Sequence, residues 1–311
     1  MLKDKIQELK KEKDIVILAH NYQIPEVQDI SDFVGDSLGL ARQAAKTTHK
    51  TILFCGVHFM AETAAIISPE KKVLIPDAAA GCSLSDSISL EQLKTWKSEH
   101  PNAITVGYVN TTAEIKSELD YCCTSSNAVN VVKAIPTDNE ILFLPDMFLG
   151  SYVAKMTGRK NMLIWAGECH VHAGITPEDV KEKLNTLKQA EFLIHPECSC
   201  TTPMMYDVAN GSYNANQVQI LSTEGMMNHV KNSKSNEFVV ATETGILYRM
   251  KQQNPSKKFI PASEKAECEY MKMITLEKVY DSILNEKTVV TVQKEIADKA
   301  RLAIERMLSI S

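Results

Sequence analysis

The sequence predicts an α/β protein built from three pseudo-threefold-related, three-layer αβα units. Their parallel sheets surround one central site. Three observations predict this. Short, uniformly apolar runs alternate with helical stretches along the chain, the pattern of parallel strands buried on both faces. The runs fall into three groups of matched spacing. Each group ends its first run in a polar pair two residues apart, and each carries a cysteine in the loop after its last run.

The chain opens on MLKDKIQELKKEKD, a charged amphipathic helix without the apolar core of a signal peptide. The first group follows: IVILAH, TILFCG and KVLIP, with LGLARQAAK as a helical crossover and EQLKTWKSEH as a closing helix. The second is AITVGY, EILFLP and MLIWAG, followed by the helical TPEDVKEKLNTLKQA. The third is FLIH, FVVAT and KFIP. Parallel strands require such crossovers, and these should be right-handed. The repeats divide the chain into units at 1–100, 101–190 and 191–286, with a helix in 287–311 expected to return to the first unit.

Composition bounds the function. The 311 residues carry a net charge of −5 and no basic tract, which argues against nucleic acid as the main partner. No apolar run reaches the ~18 residues of a membrane span. The expected setting is cytoplasmic, where the eight cysteines stay reduced.

The first strands end in HNY (His20 to Tyr22), YVN (Tyr108 to Asn110) and HPE (His195 to Glu197). Their starts at 20, 108 and 195 are 88 and 87 residues apart. Side chains at i and i+2 leave a strand on the same face. A hydroxyl residue expected to cap the next helix follows 17, 17 and 28 residues later: Ser37, Ser125 and Thr223. The third copy therefore holds an 11-residue insertion within CSCTTPMMYDVANGSYNANQVQ, which reads as a loop. Helix starts favour anions. Ligands in open α/β sheets bind beyond the carboxyl ends of strands. Three inward-facing units would share one pocket with three anion-binding corners.

The same register sorts the cysteines. Cys82, Cys169 and Cys268 lie 62, 61 and 73 residues beyond their strand markers, the last becoming 62 without the insertion. Three converging thiolates suit zinc with an open fourth position, or a [4Fe–4S] cluster with one iron open. Cys55 reads as a buried strand residue, and Cys122 and Cys123 as structural. Cys198 and Cys200 have no counterparts. They read as loop residues, oxidation partners of each other, or a second metal contact.

Long ordered stretches then match a known family. ILAHNYQIPEVQDISDFVGDSLGLAR, CGVHFMAETA, LIPDAAAGCSLSD, GYVNTTAEIK, LFLPDMFLGSYVAKMTG, GECHVHAGIT, IHPEC, TETGILYRM and CEYMKMITLEKV resemble quinolinate synthase, the iron–sulfur enzyme of NAD biosynthesis. The resemblance covers almost the whole chain. It implies condensation of iminoaspartate with dihydroxyacetone phosphate to quinolinate, with loss of phosphate and water. It further implies a functional link to the enzyme that supplies iminoaspartate. By the same resemblance Cys82, Cys169 and Cys268 hold a [4Fe–4S] cluster whose fourth iron is open to substrate. It places His20, Ser37, Tyr108, Asn110, Ser125, His172, His195, Glu197 and Thr223 around the substrates, with Ser222 the alternative to Thr223. Proton shuttling needs tunable groups: Glu197 is expected as the principal acid/base and Tyr22 as its assistant, with Tyr108 and His195 as further candidates. His58 and Lys155 are candidates for the pocket rim. Other readings are an iron–sulfur hydro-lyase acting on a small hydroxy acid, a redox sensor or cluster carrier, and a zinc enzyme.

Overall fold

The computed structural model describes residues 2–310. Twelve strands form three four-stranded sheets among these residues. The first holds β1 (Ile15–His20), β2 (Phe33–Gly35), β3 (Thr51–Cys55) and β4 (Lys72–Leu74). The second holds β5 (Ile104–Tyr108), β6 (Tyr121–Cys123), β7 (Ile141–Leu144) and β8 (Met162–Ile164). The third holds β9 (Glu191–Ile194), β10 (Val218–Ile220), β11 (Glu237–Ala241) and β12 (Lys258–Pro261). The strand orders are β2-β1-β3-β4, β6-β5-β7-β8 and β10-β9-β11-β12. All ladders between them are parallel. The threefold repeat in the sequence is thus a repeat of topology.

Central strands are apolar throughout because helices cover both faces. All of β3 and β7 is buried, and Phe54, Phe143, Phe192 and Phe238 lie at the core. Each chain leaves its first strand in one direction and its third strand in the other. That reversal opens a crevice at the carboxyl ends of β1/β3, β5/β7 and β9/β11, the place where open α/β sheets bind ligands.

Two local expectations are corrected. The insertion after Cys200 contains the helix Thr201–Ala209 rather than only loop. Pro203 sits in its first turn, where no intrahelical N–H is needed, so it does not break the helix. The closing segment also does more than return to the first unit. Thr288 and Val290 bond to the β4 edge through Ile75 N–H (3.1 Å) and Val73 C=O (2.8 Å). The final helix, Lys294–Ser309, then packs on β6 and the helix Ala113–Lys116 of the second unit, and on the helix His58–Ile67 of the first.

Candidate active site

The carboxyl ends of the three sheets open on one cavity of about 70 Å³. β1 delivers His20 and Tyr22, β5 delivers Tyr108 and Asn110, and β9 delivers His195 and Glu197. Ser37, Ser125, Thr223, His172, Cys82, Cys169 and Cys268 complete the set picked out from the sequence, and all of them line this cavity.

The hydroxyl corners are built differently from the expected caps. Asp36, not Ser37, caps the helix Ser37–Lys46 by accepting from Gly39 N–H at 2.7 Å. Ser222, not Thr223, caps the helix Thr223–Asn232 through Gly225 N–H at 3.2 Å. Ser125 lies in a turn ahead of the helix Ala128–Ala134. There the Thr124 N–H donates to the Asn127 side chain (2.9 Å). In the first and third corners the capping task falls to the preceding residue, so neither cavity hydroxyl serves as a cap.

The cysteine loops share one fastening. Two residues before each cysteine, a carbonyl accepts from the backbone beyond the third strand of the unit. The bonds are His58 N–H to Ala80 C=O (2.7 Å), Met147 N–H to Gly167 C=O (2.8 Å) and Thr244 N–H to Ala266 C=O (2.8 Å). The thiols also share an electrostatic setting. Burial pushes Cys82 up to about 12 and raises Cys169 and Cys268. Each is pulled back by the N–H groups two and three residues on: Leu84 and Ser85, Val171 and His172, Tyr270 and Met271. Such a setting stores neutral thiols and favours thiolates once a cation arrives.

Beside the thiols lies a proton-carrying group. Tyr108 OH donates to Glu197 Oε1. Burial raises the Glu197 carboxyl to about 7, against the lowering effect of that hydrogen bond. His172 and His195 stack at 4.8 Å and approach Glu197 at 3.7 and 3.4 Å. Neither contact is an ion pair at neutral pH: burial lowers His172 to about 3 and His195 well below its ordinary value. The Nδ1 atoms of both rings and Oδ1 of Asn110 are buried without partners, so they are available to a ligand. Tyr22 OH sits 2.6 Å from Thr242 Oγ1 and 3.3 Å from His172 Nε2. Cys169, His172 and Glu197 hold ligand atoms within 4.8 Å of one another.

Several residues here escaped the sequence reading. Thr242 joins Tyr22 and His172, the latter at 3.0 Å. Glu243 is fully buried, lines the cavity, pairs with Lys272 at 2.7 Å and accepts from Cys268 N–H at 3.1 Å. Lys272 also donates to Tyr22 C=O at 2.6 Å. Thr242 and Glu243 sit inside TETGILYRM, directly after β11. Their signal was a strand end at the position equivalent to Gly56 and Val57. Asp146 occupies the same position after β7; it is buried and caps the helix Met147–Thr157.

Other expectations part from the cavity. His58 faces Glu62 at 3.8 Å, and Lys155 lies in a separate groove against the helix Thr201–Ala209; neither lines the cavity. Cys55, Cys122 and Cys123 are buried strand residues. Cys198 and Cys200 are buried in the core of the third unit, where Cys198 Sγ donates to Ala241 C=O at 3.2 Å.

A cavity lined by three thiols and a near-neutral carboxyl defines an α/β enzyme with a metal-competent centre. Residues 4–309 match the NadA family, quinolinate synthetase A protein. Relatives named quinolinate synthase include one from Thermus thermophilus, 53% identical over 99% of this chain and 97% of its own. Another is from Pyrobaculum aerophilum, 51% identical over the full length of both. A third, from a Mycobacterium species, is 50% identical over 98% of this chain and 90% of its own. The chain belongs to the quinolinate synthase family. No helix among the described residues is long and apolar enough to cross a membrane.

Proposed function

We propose that this chain makes quinolinate from iminoaspartate and dihydroxyacetone phosphate, using a [4Fe–4S] cluster held by Cys82, Cys169 and Cys268. The observation that carries the reading is the convergence of one thiol and one hydroxyl from each repeat on a single cavity. The donor set fits the cluster: three similarly fastened thiols, with no fourth cysteine among the cavity residues. When bound, the cluster supplies Lewis acidity toward a departing hydroxyl.

The protein's own groups supply the rest. Ser37, Ser125 and Thr223 bind anionic oxygens of the two substrates. Helix starts near Ser37 and Thr223 assist them, so the chain's net charge of −5 is no obstacle. His20, neutral because burial lowers it to about 3, can donate or accept without adding charge. Asn110 Oδ1 accepts from a substrate N–H or O–H. Glu197, near 7, takes a proton in one step and returns it in another. Tyr108 holds that carboxylate in place. Tyr22, tied to Thr242 and His172, delivers protons beside it, while His195 orients the substrate carbonyl. Buried neutral walls keep water from competing for imine intermediates.

The three sheet-bearing units, taken as domains at 1–100, 101–190 and 191–286, each contribute to the cavity lining. A cytoplasmic setting suits a site whose three thiols must stay reduced. A working link to the enzyme that releases iminoaspartate follows from the reactivity of that imine. The test is anaerobic purification and a quinolinate assay with both substrates, then with each omitted. Brown protein and product only with both present supports the reading. Turnover of a hydroxy acid without dihydroxyacetone phosphate would favour a hydro-lyase instead.

A further inference from the structure

The three hydroxyl corners are not equivalent, and the difference lies outside the cavity. Behind Thr223 a chain of side chains runs from the half-buried Arg249 to the cavity. Arg249 Nη1 donates to Asn21 Oδ1 at 2.7 Å, and Asn21 Nδ2 donates to Thr223 Oγ1 at 3.1 Å. Arg249 is itself held by Glu224 at 3.1 Å. Asn21 is fully buried and fixed by its backbone as well, through Gly35 C=O (3.0 Å) and the Gln28 side chain (3.2 Å).

Donor and acceptor chemistry decides the direction of this chain. A guanidinium has no acceptor, so the Asn21 oxygen must face Arg249. Its NH₂ group must then face Thr223. The Thr223 oxygen is thereby used as an acceptor. Its proton has no protein acceptor in hydrogen-bond range among the described residues and is left for the cavity. Ser37 and Ser125 carry no such partner, so their hydroxyls can turn either way.

We propose that Asn21 and Arg249 are positioning residues that occupy one lone pair of Thr223 and so turn its proton toward the cavity, which favours an oxyanion at this corner. The class of ligand group favoured is a carboxylate or phosphate oxygen, which accepts the Thr223 proton more strongly than a neutral hydroxyl does. This rests on the reading of the cavity as the site of two anionic substrates.

The test uses the anaerobically purified holoenzyme, with inorganic phosphate and succinate as binding probes and KM measured for each substrate. Asn21→Asp keeps the shape but turns the amide donor into an acceptor, so the Thr223 proton is drawn away from the cavity. One probe should bind about tenfold more weakly, as expected for loss of one charge-assisted hydrogen bond. The KM of the matching substrate should rise similarly with kcat within about twofold. Whichever probe responds identifies the anion. In a Thr223→Val background the same substitution should change affinity by less than about twofold, because the donor is already gone. Arg249→Met releases the amide to flip and should weaken the same probe about threefold while the protein stays folded. Equal losses in both backgrounds would mean simple charge repulsion and overturn the proposal. So would no loss, or no probe binding by the unsubstituted protein. Absence of quinolinate formation alongside intact, Asn21-dependent anion binding would instead sink the proposed reaction and leave this inference standing.

Discussion

Tyr108, at the end of the second sheet's central strand, donates its phenolic hydrogen to Glu197, at the end of the third's. The bond crosses between two repeats and holds the carboxyl that titrates near neutrality.

Tyr108→Phe removes a donor that favours the carboxylate. The Glu197 carboxyl, already raised to about 7 by burial, should rise further. The acid limb of the kcat/KM pH profile should therefore move to higher pH, with the plateau about 10²-fold lower. An unmoved limb would remove Glu197 as the group it reports. Glu197→Gln should keep the cluster and abolish that limb.

The cysteines separate by register. Cys82→Ala, Cys169→Ala and Cys268→Ala should each lose brown colour, bound iron and quinolinate formation. Cys198→Ala and Cys200→Ala should retain all three, at a stability cost of about 1–3 kcal/mol for a small buried cavity and a lost hydrogen bond. Iron content and chemical denaturation read the two effects separately.

Lys116 is fully buried, donates to Thr111 C=O and lies 5.2 Å from the Phe59 ring. Burial lowers its ammonium to about 8. The unfolded chain therefore binds the proton more readily than the folded one between pH 8 and about 10.5. Stability should rise with pH across that window by up to about 3 kcal/mol, and fall back to its neutral level below it. Lys116→Met should flatten the slope. Urea titrations at pH 7, 8.5 and 10 measure it, and equal slopes in both proteins would refute it.

Lys272 is the sole salt-bridge partner of the fully buried Glu243 among the described residues. Lys272→Met strands that carboxylate and should destabilise by about 3–5 kcal/mol. It should also release Tyr22 C=O and lower kcat. Glu243→Gln with Lys272→Met should recover most of the stability, read from the thermal midpoint. Failure to recover would mean that the pair acts through packing alone.

The threefold repeat was legible because apolar strands and polar strand ends leave a periodic mark, and that mark located the cavity residues by register. Side-chain partners left no such mark. Whether Asp36 or Ser37 caps a helix depends on one residue of offset, which spacing cannot resolve. Thr242 and Glu243 were hidden because Val57 replaces the acid in the first copy, so the position does not read as a repeat. The helix Thr201–Ala209 was missed because Pro203 and the polar residues around it resemble a loop. The place of Cys198 was not legible for a related reason. Neighbours in sequence face opposite ways after a strand, Glu197 to the cavity and Cys198 to the core.

The closing segment fixes an order of events during synthesis. Arg301 donates to Ile66 C=O (2.9 Å), Arg306 to Asp120 C=O (2.6 Å), and Asn127 to Met307 C=O and Ile310 C=O (both 2.9 Å). The strap between the first two sheets is therefore the last part of the described chain to leave the ribosome. Each sheet can form as it emerges. The first two also meet directly, where Ser126 donates to Asp36 (2.6 Å) and Trp165 Nε1 to Ser87 C=O (3.0 Å), but the strap adds its share of their contact only after the third has been made. With the proposed cluster ligands, iron delivered before the third unit is made would meet a set that still lacks Cys268.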